Sequence, residues 1–472
     1  MSVVGRTARW LVDRLALGEV WKHVVKHAVP RDTTTLRHGW FYALGIVTLA
    51  AFVLQIVTGT ALLTRYIPST ESAYLSVQVL TEEGSAGRIV RAMHWWGASA
   101  MIAFMTLHLV RVFLMGSYKF PREINWITGV LLFVLVLAMG FTGQLLRWDQ
   151  DGLWGVVVAS QYAGRVPLVG DFLRRMILAG DTVGGHTLSR FFALHVLVMP
   201  LMILALVGVH LALVLYHGIS EKPRAGQPVD PATYRERYQR LLERDGRPYW
   251  PDAAWQELVA AAVVVAGILA LSVFAGPREL GTPPDPAGIP SHPRPDWFLM
   301  WYYALLAVKP RGFEDAVMVY LPIVAFLALV LLPLVRSRGE RAPSRRPAAV
   351  ALTVALALAL GTLTLVGYRG PWVPELRTRA LSASELEGFP AEAVQGADVF
   401  FSKGCQYCHM VRGAGGQWGP DLTEARHRME SATIADRILV GIGEMPAYRG
   451  RLSADELAAL LAFLAAVAEA EP

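Results

Sequence analysis

Seven stretches of about 20 mainly apolar residues constrain this chain more than any other feature. They fall roughly at 39–62, 91–115, 127–146, 190–216, 256–275, 316–335 and 348–366. A segment of that length and polarity crosses the hydrocarbon core as a helix, because the backbone there must satisfy its own hydrogen bonds. The expected fold class is all-α: a polytopic membrane helical bundle of about seven transmembrane helices. Composition agrees, with 54% hydrophobic and 17% charged residues and a mean hydropathy of +0.39. The net charge of +6 would suggest a nucleic-acid partner in a soluble chain. Here the basic residues lie between apolar segments, where membrane topology accounts for them, so no nucleic acid is expected.

Lys and Arg crowd the N-terminus, the "KFPRE" loop, residues 218–250 and "RSRGERAPSRR" at 336–346. Alternating seven helices puts these four regions on one side, expected to be cytoplasmic. The longer connections at 63–90, 147–189 and 276–315 then fall outside, as does the C-terminal region. Two of them, 147–189 and 276–315, are too long for simple turns and are candidate functional loops. Residues 5–29 mix apolar and basic residues at helical spacing. They read as an amphipathic helix on the membrane surface, not a cleavable signal. After about 370 the composition shifts to a linker and then a small soluble domain. Its last helix is announced by Ser453 with Glu456 three residues on, a capping box.

Histidines inside membrane helices are costly and mark function by default. His94 and His108 are fourteen residues apart, about 3.9 turns or about 21 Å, so they share nearly one helix face. His195 and His210, fifteen apart, repeat the pattern in the fourth segment. The second and fourth helices run in the same direction. His94 is therefore expected to face His195 near the outer side, and His108 to face His210 deeper in. Two such pairs can clamp two non-covalent b hemes. The alternative for any single histidine is a bond to a carbonyl or a neighbouring helix. Gly45 and Gly59 in the first helix, and Gly129 and Gly143 in the third, share the fourteen-residue period. They are expected to clear a porphyrin face, although glycine also serves plain helix packing. Arg91 and Arg111 flank the first histidine helix and are candidates for heme propionates, with membrane anchoring as the alternative.

"GCQYCHM" holds the chain's two cysteines, Cys405 and Cys408, followed by His409. Cys-x-x-Cys-His is the attachment motif of one covalent heme c. Met445 in "GEMPAY" is the expected sixth ligand, with Met429 as the alternative; Met410 adjoins the proximal histidine and cannot reach the opposite face. A redox dithiol lacks the thioredoxin-like context. Four-cysteine metal sites are excluded within the chain.

These motifs carry a family resemblance. "VLQIVTG", "HLVRVFLMGSYKFPREINWITG", "LWGVVV", "TLSRFFALH" and "HGIS" resemble the cytochrome b subunit of the quinol-oxidising cytochrome bc family. The fifteen-residue second spacing leans toward its chloroplast-type, split-b branch. "GPDLT" at 419–423 resembles class I cytochromes c. The resemblance implies a four-helix cytochrome b domain at 1–222 and a three-helix, subunit IV-like domain at 223–369. A linker at 370–390 and a cytochrome c domain at 391–472 follow. It implies that His94 and His195 hold an outer, low-potential heme, and His108 and His210 an inner, high-potential one. "HPRPDWFLMWYYALL" resembles the family's Pro-Glu-Trp-Tyr loop, here Pro295-Asp296-Trp297-Phe298, with Tyr303 on a pocket-lining tyrosine. Asp296 would accept a quinol proton; on spacing alone it reads equally as a helix N-cap. Arg147, Asp149 and Asp151 either border that pocket or form a solvated charge cluster.

The family's chemistry is quinol oxidation, with menaquinol expected from the Asp and Phe replacements. One electron goes to a Rieske iron–sulfur protein and on toward heme c. The other crosses the membrane to reduce quinone, coupled to proton translocation. The Rieske centre must sit on a separate chain, since no cysteine remains for it. A further c-type cytochrome or a terminal oxidase is the expected onward acceptor, the complex is expected to be a homodimer in membrane lipid, and the expected setting is a bacterial cytoplasmic membrane with the cytochrome c domain periplasmic or otherwise extracytoplasmic. Ala43 stands where the chloroplast-type branch tethers an extra heme by cysteine, so no such tether can form. The competing reading is a non-bifurcating diheme anchor that relays electrons between quinone and a periplasmic redox enzyme. A regulatory heme sensor has no support in the residues. His186, His217, His292 and His427 have no assigned role.

Overall fold

The computed structural model describes residues 27–35, 39–82, 85–180, 183–284, 294–310, 312–370, 380–415, 420–442 and 445–470. Among the described residues, seven helices are long and apolar enough to cross a membrane. They are α1 (Leu44–Leu63), α2 (Ser85–Leu114), α3 (Glu123–Leu146), α4 (Gly185–His217), α5 (Ala254–Phe274), α6 (Leu321–Val335, entered through a π turn at Ala316–Tyr320) and α7 (Pro347–Arg369). Each expected segment is one of these helices. Most of the amphipathic helix expected at 5–29 lies outside the described residues. Its end is not helical: Ala28–Pro30 pairs antiparallel with Gly246–Pro248. Pro30 has no N–H for a helix to use there.

Helices α1 to α4 form the central unit, with α1 packed on α2 and α4 on α3. Its midplane is an apolar plug of Ala51, Phe52, Met101, Ile102, Leu132, Val136 and Ile203. Each helix contributes from the midpoint between its paired glycines or histidines. Helix α5 leans on α1 through Ala260 against Ala43 and Val47. Helix α6 packs on α3, where Trp126 Nε1 donates to the Leu329 carbonyl at 2.6 Å.

The two ends of the bundle differ in chemistry. At one end the basic connections meet. Lys119 Nζ donates to the carbonyl of Arg336 at 2.9 Å, Arg122 Nε to that of Gly218 at 3.0 Å, and Arg341 Nη1 to Glu221 Oε1 at 2.7 Å. At the other end the three longer connections meet: Tyr74 Oη donates to the Gly281 carbonyl at 3.0 Å, and Gln150 N to that of Thr282 at 3.0 Å. The side-by-side grouping expected from Lys and Arg is therefore physical contact.

Helix α4 explains the odd histidine spacing. Residues Leu194–Val198 form a π turn, which takes up one extra residue within an α-helix. Pro200 has no N–H to offer the carbonyl of Val196 four residues back, which frees that turn to widen. Fifteen residues in α4 thus span the same phase as fourteen in α2.

The C-terminal unit has its own core. Helices α8 (Ala391–Ser402) and α9 (Ala454–Glu469) cross over Phe400, Leu460, Phe463 and Leu464. Ser453 caps α9, accepting from Glu456 N, and Glu456 closes the capping box as expected. The crossing is closest at Gly396, where an added Cβ would lie 2.0 Å from the Ala459 carbonyl oxygen. Gly396→Ala should destabilise this unit by about 1–3 kcal/mol through overpacking. The check is thermal loss of the c-type Soret band in the full chain; an unchanged midpoint would show that the helices part freely.

Candidate functional site

The four intramembrane histidines assemble as two levels. At the first, the His94 and His195 ring centroids are 6.2 Å apart, with the rings inclined at 73°. With metal–imidazole bonds of about 2.0–2.1 Å, two imidazoles on opposite sides of one metal ion place their centroids roughly 6 Å apart. The pair therefore fits axial ligation of a single heme iron. His108 and His210 form the second level.

Each histidine faces one of the period-fourteen glycines. An ideal Cβ on Gly59 would lie 3.2 Å from His94 Cε1, and one on Gly143 2.7 Å from His195 Cε1. At the second level Gly45 faces His108 at 3.4 Å and Gly129 faces His210 at 3.5 Å. In this structure the glycines make room for the imidazole edge, which sets where the ring points.

Three threonines, each directly before one of these glycines, also touch the rings. Thr58 Oγ1 is 2.9 Å from His94 Nδ1, Thr142 Oγ1 3.0 Å from His195 Nδ1 and Thr128 Oγ1 2.8 Å from His210 Nδ1. Sequence reasoning missed them. The signal was present as a Thr-Gly pair at 58–59, 128–129 and 142–143.

A cavity of about 280 Å³ joins the first level to the loop before the helix Met300–Val308. His94, His195, Gly59 and Gly143 line it, and so do Asp296, Trp297 and Phe298. That loop is docked by Trp297 Nε1 on Ser99 Oγ at 3.2 Å and by Phe298 against Gly140. Asp296 is buried and precedes a 3-10 turn, but its carboxylate caps nothing. It is ion-paired with Arg278, while its backbone N–H donates to Gln144 Oε1 at 3.2 Å. The N-cap alternative thus fails on geometry. Tyr303 is half-buried and does not line this cavity. It stands five residues beyond Phe298, about 140° around a helix.

Arg278, also missed from sequence, organises the loop. Its other amine reaches Asp151 Oδ2 at 2.9 Å. Asp149 is fully buried, caps the helix Gln150–Gly164 through Gly152 N at 2.9 Å and accepts from Gly281 N at 3.1 Å. Arg147 stands 3.6 Å from Asp149 and 3.9 Å from Asp151. The cluster borders the pocket and is not a solvated patch. Arg91 lines the same cavity and holds the Arg278 carbonyl at 2.8 Å and Thr81 Oγ1 at 2.9 Å. Arg111, three residues past His108, stacks over the Tyr42 ring at 3.9 Å. Among the described residues its Nε and Nη2 have no hydrogen-bond partner. A buried guanidinium with spare donors suits an anionic group such as a propionate.

In the C-terminal unit a 3-10 turn at Cys405–Tyr407 carries the motif onto one turn, closed by His409 N donating to the Cys405 carbonyl at 3.0 Å. His409 is buried, and its Nδ1 donates to the Pro420 carbonyl at 2.8 Å. This leaves Nε2 unprotonated for a metal. Burial holds its pKa below the ordinary histidine value. Burial also pushes the Cys405 thiol up to about 12, which is the wrong direction for a reactive dithiol. Met445 packs against the core of this unit. Met429 does too, but its sulfur is engaged by Arg437 Nη1 at 2.8 Å.

The sequence profile described as cytochrome b(N-terminal)/b6/petB matches residues 99–283, and that described as cytochrome b(C-terminal)/b6/petD matches 283–381. The first match runs well past residue 222. The chain is 42% identical over 215 residues to a menaquinol:cytochrome c reductase cytochrome b subunit of Geobacillus thermodenitrificans, covering 45% of this chain and 96% of that relative. The chain belongs to the cytochrome b family. It is also 40% identical over 213 residues to cytochrome b6 of Heliobacterium mobile, covering 45% of this chain and 98% of the relative. A solved structure described as a hyperthermophilic respiratory Complex III is similar at a TM-score of 0.64 and 27% identity, covering 77% of this chain and 91% of that one. Residues 391–464 match the profile described as cytochrome c oxidase, cbb3-type, subunit III. This member of the cytochrome b family thus carries a cytochrome c domain on the same chain.

Gly143 offers the sharpest test of the ladder. Gly143→Val should displace His195 and lower the chain's non-covalent heme content. Pyridine hemochrome spectra read that content, and an unchanged value would refute the assigned clearance.

Proposed function

We propose that the chain is the quinol-oxidising cytochrome b subunit of a cytochrome bc-type complex, with menaquinol as substrate and heme c on its own C-terminal domain. The observation that carries this is the single cavity lined by both Asp296 and the His94–His195 pair. When bound, two b hemes and one c heme supply one-electron carriers; His94, His195, His108 and His210 would hold the first two, and Cys405, Cys408, His409 and Met445 the third.

The residues suit quinol chemistry. A quinol gives up two protons and two electrons. Asp296 Oδ at the cavity wall is placed to accept a hydroxyl proton. Its partner Arg278 holds the carboxylate in place at the cavity wall. Gln144 fixes the Asp296 backbone, and Trp297 and Phe298 pack the loop against α2 and α3, which keeps water from the histidine level. One electron leaves to a partner Rieske protein, since this chain has no cysteines beyond its heme motif. The two histidine pairs would hold the one-electron carriers that link this cavity to a quinone at the basic end. On this reading the Asp296 end is the outer side of a bacterial cytoplasmic membrane and protons are released there. A relay-only anchor would have no need of a buried carboxylate in the cavity.

Pyridine hemochrome analysis should return two b hemes and one c heme per chain. Asp296→Asn should slow quinol:cytochrome c turnover by about 10²-fold, the lower range for a positioned base, with all hemes retained. Unchanged turnover would reduce Asp296 to a structural partner of Arg278.

A further inference from the structure

Three of the four intramembrane imidazoles touch a threonine, and one does not. The contacting hydroxyls have a second neighbour each. Thr58 Oγ1 lies 2.7 Å from the Leu54 carbonyl, Thr128 Oγ1 2.9 Å from that of Asn125 and Thr142 Oγ1 3.0 Å from that of Met139. A hydroxyl has one proton and a carbonyl can only accept. The proton therefore goes to the carbonyl, and the ring donates its Nδ1–H to the threonine oxygen. That selects the tautomer with a bare Nε2. It also makes the imidazole a more basic metal ligand, because the hydrogen bond donated from Nδ1 pushes electron density onto the ring.

The fourth position breaks the pattern. Gly45 meets His108 as Gly59 meets His94: a Cβ there would lie 3.4 Å from Cε1 and 3.7 Å from Nδ1, against 3.2 and 3.8 Å. The residue before Gly45 is Leu44, not threonine. Among the described residues His108 Nδ1 has no hydrogen-bond partner.

We propose that Thr58, Thr128 and Thr142 are positioning residues that orient and polarise three axial imidazoles, and that Leu44 leaves His108 unpolarised, making the two levels electronically unequal. The proposal rests on the b-heme reading above. A more basic axial ligand favours the oxidised metal and lowers its potential. The level beside Asp296 has two polarised ligands, and the deeper level has one. The first level is thus set lower, so an electron entering from the Asp296 cavity moves downhill. The Arg111 charge near His108 acts in the same direction and is untouched by the variants below.

The test is an optical redox titration of the b-type bands in the purified full-length chain, with hemes counted by pyridine hemochrome. Thr58→Val and Thr142→Val should raise the lower-potential b component, and Thr142→Ser should keep the wild-type value. Leu44→Thr should lower the higher-potential component. Full heme content with unmoved potentials in Thr142→Val and Leu44→Thr overturns the proposal while leaving the heme reading intact. If the valine variants lose heme, Leu44→Thr decides alone, and an unmoved higher component there overturns it. A wild-type chain without b heme would refute the underlying heme reading and this proposal with it.

Discussion

Four imidazoles held inside an apolar bundle are the constraint on which the rest of the structure depends. A polar ring at that depth is costly wherever a nitrogen lacks a partner. Three rings meet threonine on one nitrogen, which leaves the other for a metal. Ring placement then dictates the neighbours. Glycine is needed at 143, where a Cβ would lie 2.7 Å from the His195 Cε1, and favoured at 59, where it would lie 3.2 Å from that of His94; at 45 and 129 a Cβ would make ordinary contact at 3.4 and 3.5 Å. The plug around Phe52, Met101, Val136 and Ile203 fills the space between the levels and keeps them separate. A bundle obeying these demands on four helices has little freedom left in rotation or register.

The fourth helix shows how strict the register is. Its histidines are fifteen residues apart, which on a plain α-helix would turn one ring about 100° away from where a spacing of fourteen puts it. The π turn at Leu194–Val198 absorbs that residue at the first histidine itself. A local irregularity thus preserves the global alignment, and it sits at the site because the correction is needed there.

Much of this was legible in the sequence, for physical reasons. Hydropathy and length are enough to find the seven helices, since the bilayer imposes both. Periodicity pairs His94 with His108 and Gly45 with Gly59, since a helix converts spacing into facing. What periodicity cannot supply is the partner of a side chain on another element. Arg278 reaches Asp151 across 127 positions of chain, and no local pattern announces it. The threonines were overlooked for the opposite reason. Threonine bonding back to its own helix is ordinary in membranes, so the residue carries no alarm until a ring is seen against it. Tyr303 was drawn toward the pocket by resemblance, but the helical turn after Phe298 carries it around to another side. The end of the expected surface helix was lost to a pairing with Gly246–Pro248, 200 residues and more away.

The charged cluster beside the cavity bears on how a buried carboxylate can take up a proton. Breaking a buried ion pair by neutralising one partner leaves an uncompensated charge and costs about 3–5 kcal/mol. That penalty would oppose protonation of Asp296 if Arg278 had no other anion. It has one: Asp151 lies 2.9 Å from its second amine, and Asp149 stands behind with Arg147. When Asp296 becomes neutral, Arg278 remains paired. The cluster therefore separates two demands that conflict in a simple pair. Arg278 can pair with the Asp296 carboxylate before the proton arrives, and its own charge stays compensated afterward.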